Sequence, residues 1–197
     1  MKKSEVLEEL LKEGNGYLLT KDVVERGISK TYLAKFVKKM NLEHVAIGVY
    51  MNPNNWKDEL YLLCLKNPKA IYSHETALFL HGFMEREPAV ICMSVSQEYN
   101  ATHLREKGVK VFQVRENRTL LGKTEILTSF GNKVAVYDKE RTICDIIQRK
   151  ESMDVQVFQT AMKEYIASKD KNLSNLMKYA FLFGVEEEVR RYTEVLL

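Results

Sequence analysis

Seven side chains with the chemistry to hold a polyanion sit close together near the amino terminus: Ser29, Lys30, Thr31, Tyr32, Lys35, Lys38 and Lys39. They belong to ISKTYLAKFVKK, residues 28–39, which holds four lysines and no acid. Lysine ammonium groups neutralise phosphates whatever the base sequence, whereas hydroxyls and a lysine aimed at guanine discriminate between base edges. At about 100° per residue, Leu33, Phe36, Val37 and Met40 fall on one side of a helix and provide its core face. Thr31, Lys35 and Lys38 lie opposite, with Tyr32 and Lys39 on one flank and Lys30 nearer the other. The plain alternative is that lysines are what a helix shows to water. Against it stand the missing acids, the place of the run in the chain and the hairpin-like stretch that follows.

Other groups carry weaker signals. Arg141 and Asp145 are four apart, at the spacing for an ion pair along a helix, and Asp138 can cap that helix. These three form either a structural set or a functional surface. Between residues 105 and 123, six basic residues (Arg105, Lys107, Lys110, Arg115, Arg118 and Lys123) face two acids, Glu106 and Glu116, making a second basic region. It is either an extension of a nucleic-acid footprint or solvated surface. His74 and His81 lack the further Cys, Asp or Glu that a metal set requires, so they read as cap and packing residues and no metal is expected. Cys64, Cys92 and Cys144 are odd in number and far apart, which implies reduced thiols rather than a disulfide framework. No glycine-rich phosphate loop and no Gly-x-Ser-x-Gly nucleophile turn is present, and acids beside lysine, as at Asp138, Lys139 and Glu140, are common in a chain with 29% charged residues. Neither an enzyme nor a cofactor is expected.

The elements that must position these residues follow from periodicity and punctuation. Val6, Leu7, Leu10 and Leu11 mark a first helix closed by Gly14 and Gly16. Thr20 is placed as the cap of a second, with Val23 and Val24 facing inward and Gly27 as its stop, and Ser29 caps a third. Two short helices around a glycine turn match helix-turn-helix spacing. In LEHVAIGVYM (42–51), two β-prone stretches flank Gly48, and such a hairpin turns a helix-turn-helix into a winged one. Asn52, Pro53, Asn54 and Asn55 then break the chain, which puts the first module at residues 1–56. Residues 57–197 alternate between helical and strand-like patterns. Helices are expected at 58–66 and 74–81, strands at 89–95, 109–114 and on either side of Gly131-Asn132, a helix from Asp138 to Arg149, and three more near 153–168, 172–183 and 185–196. The expected fold class is α+β: a winged helix-turn-helix followed by a mixed α/β domain with a small sheet flanked by helices.

Three stretches, in this order and spacing, resemble the AbiEi antitoxins of the AbiE abortive-infection systems, which are type IV toxin-antitoxin pairs. GVYM (48–51) looks like the end of that family's wing, SHETALFLHG (73–82) like its Ser-x-x-Thr-Ala helix, and DKERTICDII (138–147) like its Glu-Arg-Thr-x-x-Asp helix. The resemblance implies an autorepressor whose winged helix binds inverted-repeat operator DNA. It also implies a carboxy-terminal domain that counteracts a co-encoded nucleotidyltransferase-like toxin without a stable complex. The position before the Gly-aliphatic-Tyr often carries arginine in that family and is Ile47 here, leaving His44 as a partial substitute for a phosphate contact.

A net charge of +3 means that any nucleic-acid affinity comes from local clustering. No apolar run reaches the roughly 18 residues of a membrane span, and no export signal is read, so a cytoplasmic location is expected. Two copies would read a palindromic site. The alternatives are a plain winged-helix regulator with a ligand-sensing or assembly domain, and a DNA-targeted nuclease.

Overall fold

Leu7 and Leu11, one helical turn apart, are both buried, and they fix the inward face of α1 (Lys3–Glu13). The structure, a computed structural model, describes residues 2–196. By contacts the chain divides into two compact units, Met1–Asn67 with Leu127–Lys133, and Pro68–Ile126 with Val134–Leu197.

In the first unit, α1 leads to β1 (Tyr17–Leu19), α2 (Thr20–Glu25), α3 (Lys30–Lys39), and the hairpin of β2 (Glu43–Ala46) and β3 (Val49–Met51). The three strands form an antiparallel sheet in the order β1-β3-β2. Strand alternation explains how so small a sheet is stabilised on both faces. Leu18 joins Leu7, Val23, Leu33 and Phe36 in one core, while Tyr17 and Leu19 join Val49, Met51 and Leu62 in a second. Leu62 belongs to α4 (Glu59–Lys66), so this helix covers the sheet face opposite α1–α3.

The first unit therefore runs past the expected boundary at residue 56. Asp58 caps α4 by accepting the Tyr61 N–H at 3.0 Å, and its own N–H donates to the Tyr17 hydroxyl at 2.8 Å. Its second carboxylate oxygen accepts from Thr128 Oγ1 at 2.5 Å and Asn132 Nδ2 at 2.8 Å, which ties the Leu127–Lys133 turn to this unit.

Three local expectations change. Thr20 is the first residue of α2 rather than its cap, a position held by Leu19 without a side-chain bond. Val24 and Met40 are exposed, because α2 is a single buried stripe through Val23 and α3 ends at Lys39, one residue before Met40.

The second unit holds a five-stranded mixed sheet in the order β6-β5-β4-β8-β7. Its strands are β4 (Ile71–Tyr72), β5 (Cys92–Ser96), β6 (Lys110–Val114), β7 (Lys123–Leu127) and β8 (Lys133–Tyr137). β5 and β6 are parallel, with Ser94 opposite Phe112, and β4 is antiparallel to β5 and parallel to β8. The helices are α5 (His74–Leu80), the short α6 (Thr102–Glu106) and α7 (Glu116–Thr119), α8 (Lys139–Gln148), α9 (Val155–Ala167), α10 (Leu173–Phe183) and α11 (Glu186–Leu196). Ile143, Ile146 and Ile147 of α8 share a core with Leu78, Phe158, Met162, Tyr165 and Leu176. Every residue from Glu140 to Ile147 is buried, so the polar members of α8 must find partners inside the protein. Among the described residues no helix is long and apolar enough to cross a membrane.

Candidate nucleic-acid interface and a buried charge network

Gly27, at φ +72°, closes α2: its N–H donates to Val24 O and the Ile28 N–H to Val23 O, which reverses the chain so that α3 begins three residues later. Ser29 caps α3 by accepting the Tyr32 N–H at 3.3 Å. At the other end, Asn41 takes φ +52° and Leu42 N–H returns to Val37 O, so both termini are satisfied and the helix is held at ten residues. Leu33 and Phe36 anchor it to the core.

This anchoring leaves Ser29, Lys30, Thr31, Lys35, Lys38 and Lys39 exposed, and none of the four lysines has a carboxylate partner among the described residues. Tyr32 differs: its ring is partly buried against the core and Lys3 Nζ lies 5.9 Å from its centroid, so only part of it is free to touch a ligand. The β2–β3 hairpin turns at Ile47-Gly48. Gly48, at φ +71°, accepts the Thr20 N–H at 2.8 Å, which fixes the hairpin tip to the start of α2. Ile47 at that tip is 98% exposed. His44 is exposed and leans on Tyr50, ring centroids 5.4 Å apart.

In the second unit, Asp138 caps α8, accepting the Arg141 N–H at 2.7 Å and the Tyr179 hydroxyl at 3.1 Å, and burial raises its carboxyl above the usual range. The Arg141–Asp145 pairing is present, with Nε donating to Oδ1 at 2.9 Å. It is not an exposed surface, because Arg141 is only 1% exposed. Its Nη1 donates to the carbonyls of Arg118 and Leu121, both at 2.9 Å, and the guanidinium lies between the rings of Tyr137 and Phe183, 4.1 and 4.2 Å away. Asp145 Oδ2 is buried with no hydrogen-bond partner among the described residues. Burial, opposed by Arg141, pushes this carboxyl up to about 6.

The second basic region divides. Lys110 pairs with Glu75 at 3.7 Å, Arg115 and Arg118 line one cavity of about 310 Å³ together with Arg141 and Asp145, and Lys123 lines another of about 460 Å³. Arg105 and Lys107 are exposed at the end of α6. His81 Nε2 donates to the Tyr137 carbonyl at 2.7 Å, so that ring nitrogen carries the proton. His74 stacks on Phe112 with centroids 3.5 Å apart and has φ +49°. Burial, reinforced by Lys110, Arg149 and Arg141, pushes its ring down to about 3, so it is neutral at physiological pH. The thiols of Cys92 and Cys144 are pushed up to about 12 by burial, which keeps them protonated and unreactive. Among the described residues no three His, Cys, Asp or Glu side chains form a group that could hold a metal ion.

Sequence reasoning gives Arg149 and Ser94 no site role and reads Ser73 only as the cap of α5, a position it holds without a side-chain bond to that helix. Ser94 Oγ donates to Ser73 Oγ at 2.8 Å, which lies 3.1 Å from His74 Nδ1, and Arg149 lines the same cavity as His74. No spacing announces this, since the residues come from different strands and helices.

No protein-family model matches the chain, and no curated protein does. Among solved structures, the chain is similar to the crystal structure of the RV2827C protein from Mycobacterium tuberculosis, at 14% identity and a TM-score of 0.54, over 98% of this chain and 80% of that one. At this identity the likeness is one of fold, and it agrees with the mixed α+β class.

Proposed function

We propose that the first unit is a winged helix-turn-helix that binds operator DNA through α3, and that the chain is an antitoxin and autorepressor of the AbiEi kind, acting against a co-encoded nucleotidyltransferase-like toxin. One observation carries the DNA-binding reading: α3 presents four exposed lysines with no ion-pair partner among the described residues. Such a helix lowers its own electrostatic energy by meeting phosphates, and counterion release drives the association. The supporting features are the glycine turn between α2 and α3 and the hairpin that follows at once. At roughly 1.5 Å per residue, α3 is about 15 Å long, enough to lie in a major groove with Ser29, Lys30 and Thr31 leading. The hairpin tip offers Ile47 rather than a cation, which suits apolar contact with sugars or a thymine methyl group.

The test is fluorescence anisotropy of the full chain on the duplex preceding its own reading frame and on a scrambled duplex, over a range of salt. Preference for the first, lost in Lys35→Ala/Lys38→Ala, supports the reading. Equal, salt-insensitive binding to both, or none, defeats it. The antitoxin role is tested separately, by whether the full chain restores growth when the neighbouring nucleotidyltransferase gene is expressed.

A second reading, a winged-helix regulator whose second unit senses a small ligand, is favoured by the arginine-lined cavity in that unit. It predicts no growth rescue and a ligand-dependent DNA affinity.

A further inference from the structure

The cavity of about 310 Å³ in the second unit lies against the paired strands β5 and β6, where Ser94 and Phe112 are register partners, and is walled by α8. Four arginines line it, Arg115, Arg118, Arg141 and Arg149, and Asp145 is the one acidic residue among the lining residues. Arg115, Arg118 and Arg149 have no carboxylate partner among the described residues. Two of them are oriented by aromatic faces, Arg118 at 5.4 Å from the Phe183 centroid and Arg149 at 5.9 Å from that of Phe112. Arg141 is fixed by three hydrogen bonds that use Nε and Nη1 and leave Nη2 for a ligand.

So much positive charge around one small space is unfavourable for an empty protein. Like charges repel, and nothing within the described residues neutralises three of the four. Strain points the same way: His74, which lines this cavity, is held in the left-handed region although it is not a glycine. The orphaned Asp145 Oδ2 is a buried acceptor in the same wall, and such a group calls for a donor.

We propose that this cavity binds a phosphomonoester on a ligand of mononucleotide size. Guanidinium forks match the planar geometry of phosphate oxygens, and arginines converging on one point make bidentate contacts that a single exposed lysine does not. The volume falls at the small end of ligand pockets, so it takes one nucleotide and not a folded polymer. Phe112, half-buried with one face covered by His74, is the aromatic side chain of the lining against which a base can pack beside Arg149, and the side-chain amides of Gln97, Gln113 and Gln148, which also line the cavity, can read its edge. Asp145 Oδ2 takes an N–H or O–H of the ligand once the wall adjusts to admit it. A free mononucleotide and the terminal phosphate of a strand present the same group. The inference does not depend on α3 binding DNA.

Calorimetric titration of the full chain tests it with inorganic phosphate, the four nucleoside monophosphates, the matching nucleosides, and a short single strand with or without a 5′-phosphate. The expected result is binding of at least one monophosphate at least tenfold tighter than its nucleoside and tighter than phosphate alone. Arg149→Gln and Arg115→Gln, both at exposed positions, should each weaken it at least fivefold without lowering the melting temperature of the unliganded chain. Tighter binding of the 5′-phosphorylated strand than of any mononucleotide assigns the site to a strand end, and the reverse order assigns it to a free nucleotide. No heat from any phosphate carrier at millimolar concentration overturns the proposal. So does equal binding of nucleoside and nucleotide, or affinity that is unchanged in both arginine variants.

Discussion

Arg141 Nε and Asp145 Oδ1 are joined at 2.9 Å in the interior of the second unit, yet the other oxygen of Asp145 has no hydrogen-bond partner among the described residues. A pair so deeply buried stabilises little by itself, since desolvation offsets the Coulomb attraction, but removing one member strands the other. Arg141→Met should therefore destabilise the chain by about 3–5 kcal/mol in urea unfolding at pH 7. Arg141→Met/Asp145→Leu should lose clearly less than the sum of its single variants. An additive double variant would show that the two residues are not coupled.

His74 and Asp145 line one cavity and titrate with opposite effects on stability. His74 falls from 6.5 to about 3 on folding, so between those values the unfolded chain binds the extra proton and stability is lost as pH falls, by up to about 1.4 kcal/mol per pH unit. Asp145 rises from 3.8 to about 6, so in that window the folded chain binds the extra proton and stability is lost as pH rises. Between pH 4 and 6 the two largely cancel. His74→Asn should unmask a stability that declines with rising pH, and Asp145→Asn one that increases. Urea midpoints at pH 4.5, 5.5 and 6.5 read the slopes, and identical slopes in all three proteins would refute the assignment.

Asp58 is 1% exposed and accepts hydrogen bonds from Tyr61 N, Thr128 Oγ1 and Asn132 Nδ2. Asp58→Ala removes a helix cap and leaves two buried side-chain donors unsatisfied, a loss of roughly 3 kcal/mol. Asp58→Asn keeps one acceptor and should lose less. Hydrogen exchange should show the Leu127–Lys133 turn among the segments most deprotected by Asp58→Ala; a turn as protected as in the parent would mean that Asp58 does not hold it.

What could be read from the chain, and what could not, divides by how local the physics is. Ser29 and Asp138 are legible as caps because a cap is a bond between near neighbours. The helices α8 to α11 announce themselves through apolar periodicity, and the Ile47-Gly48 turn through its glycine. β1 escapes because Tyr17, Leu18 and Leu19 are all buried, on two faces, and show no alternation. β4 has only two residues. Arg115 and Arg118 are legible as basic, but their convergence with Arg141 and Arg149 is set by tertiary packing, which no spacing encodes.

The lysines of α3 give the sharpest test of nucleic-acid binding, because each phosphate contact leaves a countable trace. Every contact contributes about 0.9 to the slope of log affinity against log salt on duplex DNA, so Lys35→Ala and Lys38→Ala should each lower that slope by about this amount, on operator and scrambled duplex alike. Thr31→Ala should instead leave the slope intact and reduce the preference for operator by about 1 kcal/mol, as expected of a group that reads a base edge. Tyr32 needs a different substitution, since its ring packs against the core of the first unit, and alanine would loosen the helix itself. Tyr32→Phe keeps that packing and removes only the hydroxyl, so a loss of preference without a loss of melting temperature places the hydroxyl on the DNA. If the salt slope survives the loss of both lysines, α3 does not face the phosphates, and the case for this helix as the reading element falls with it.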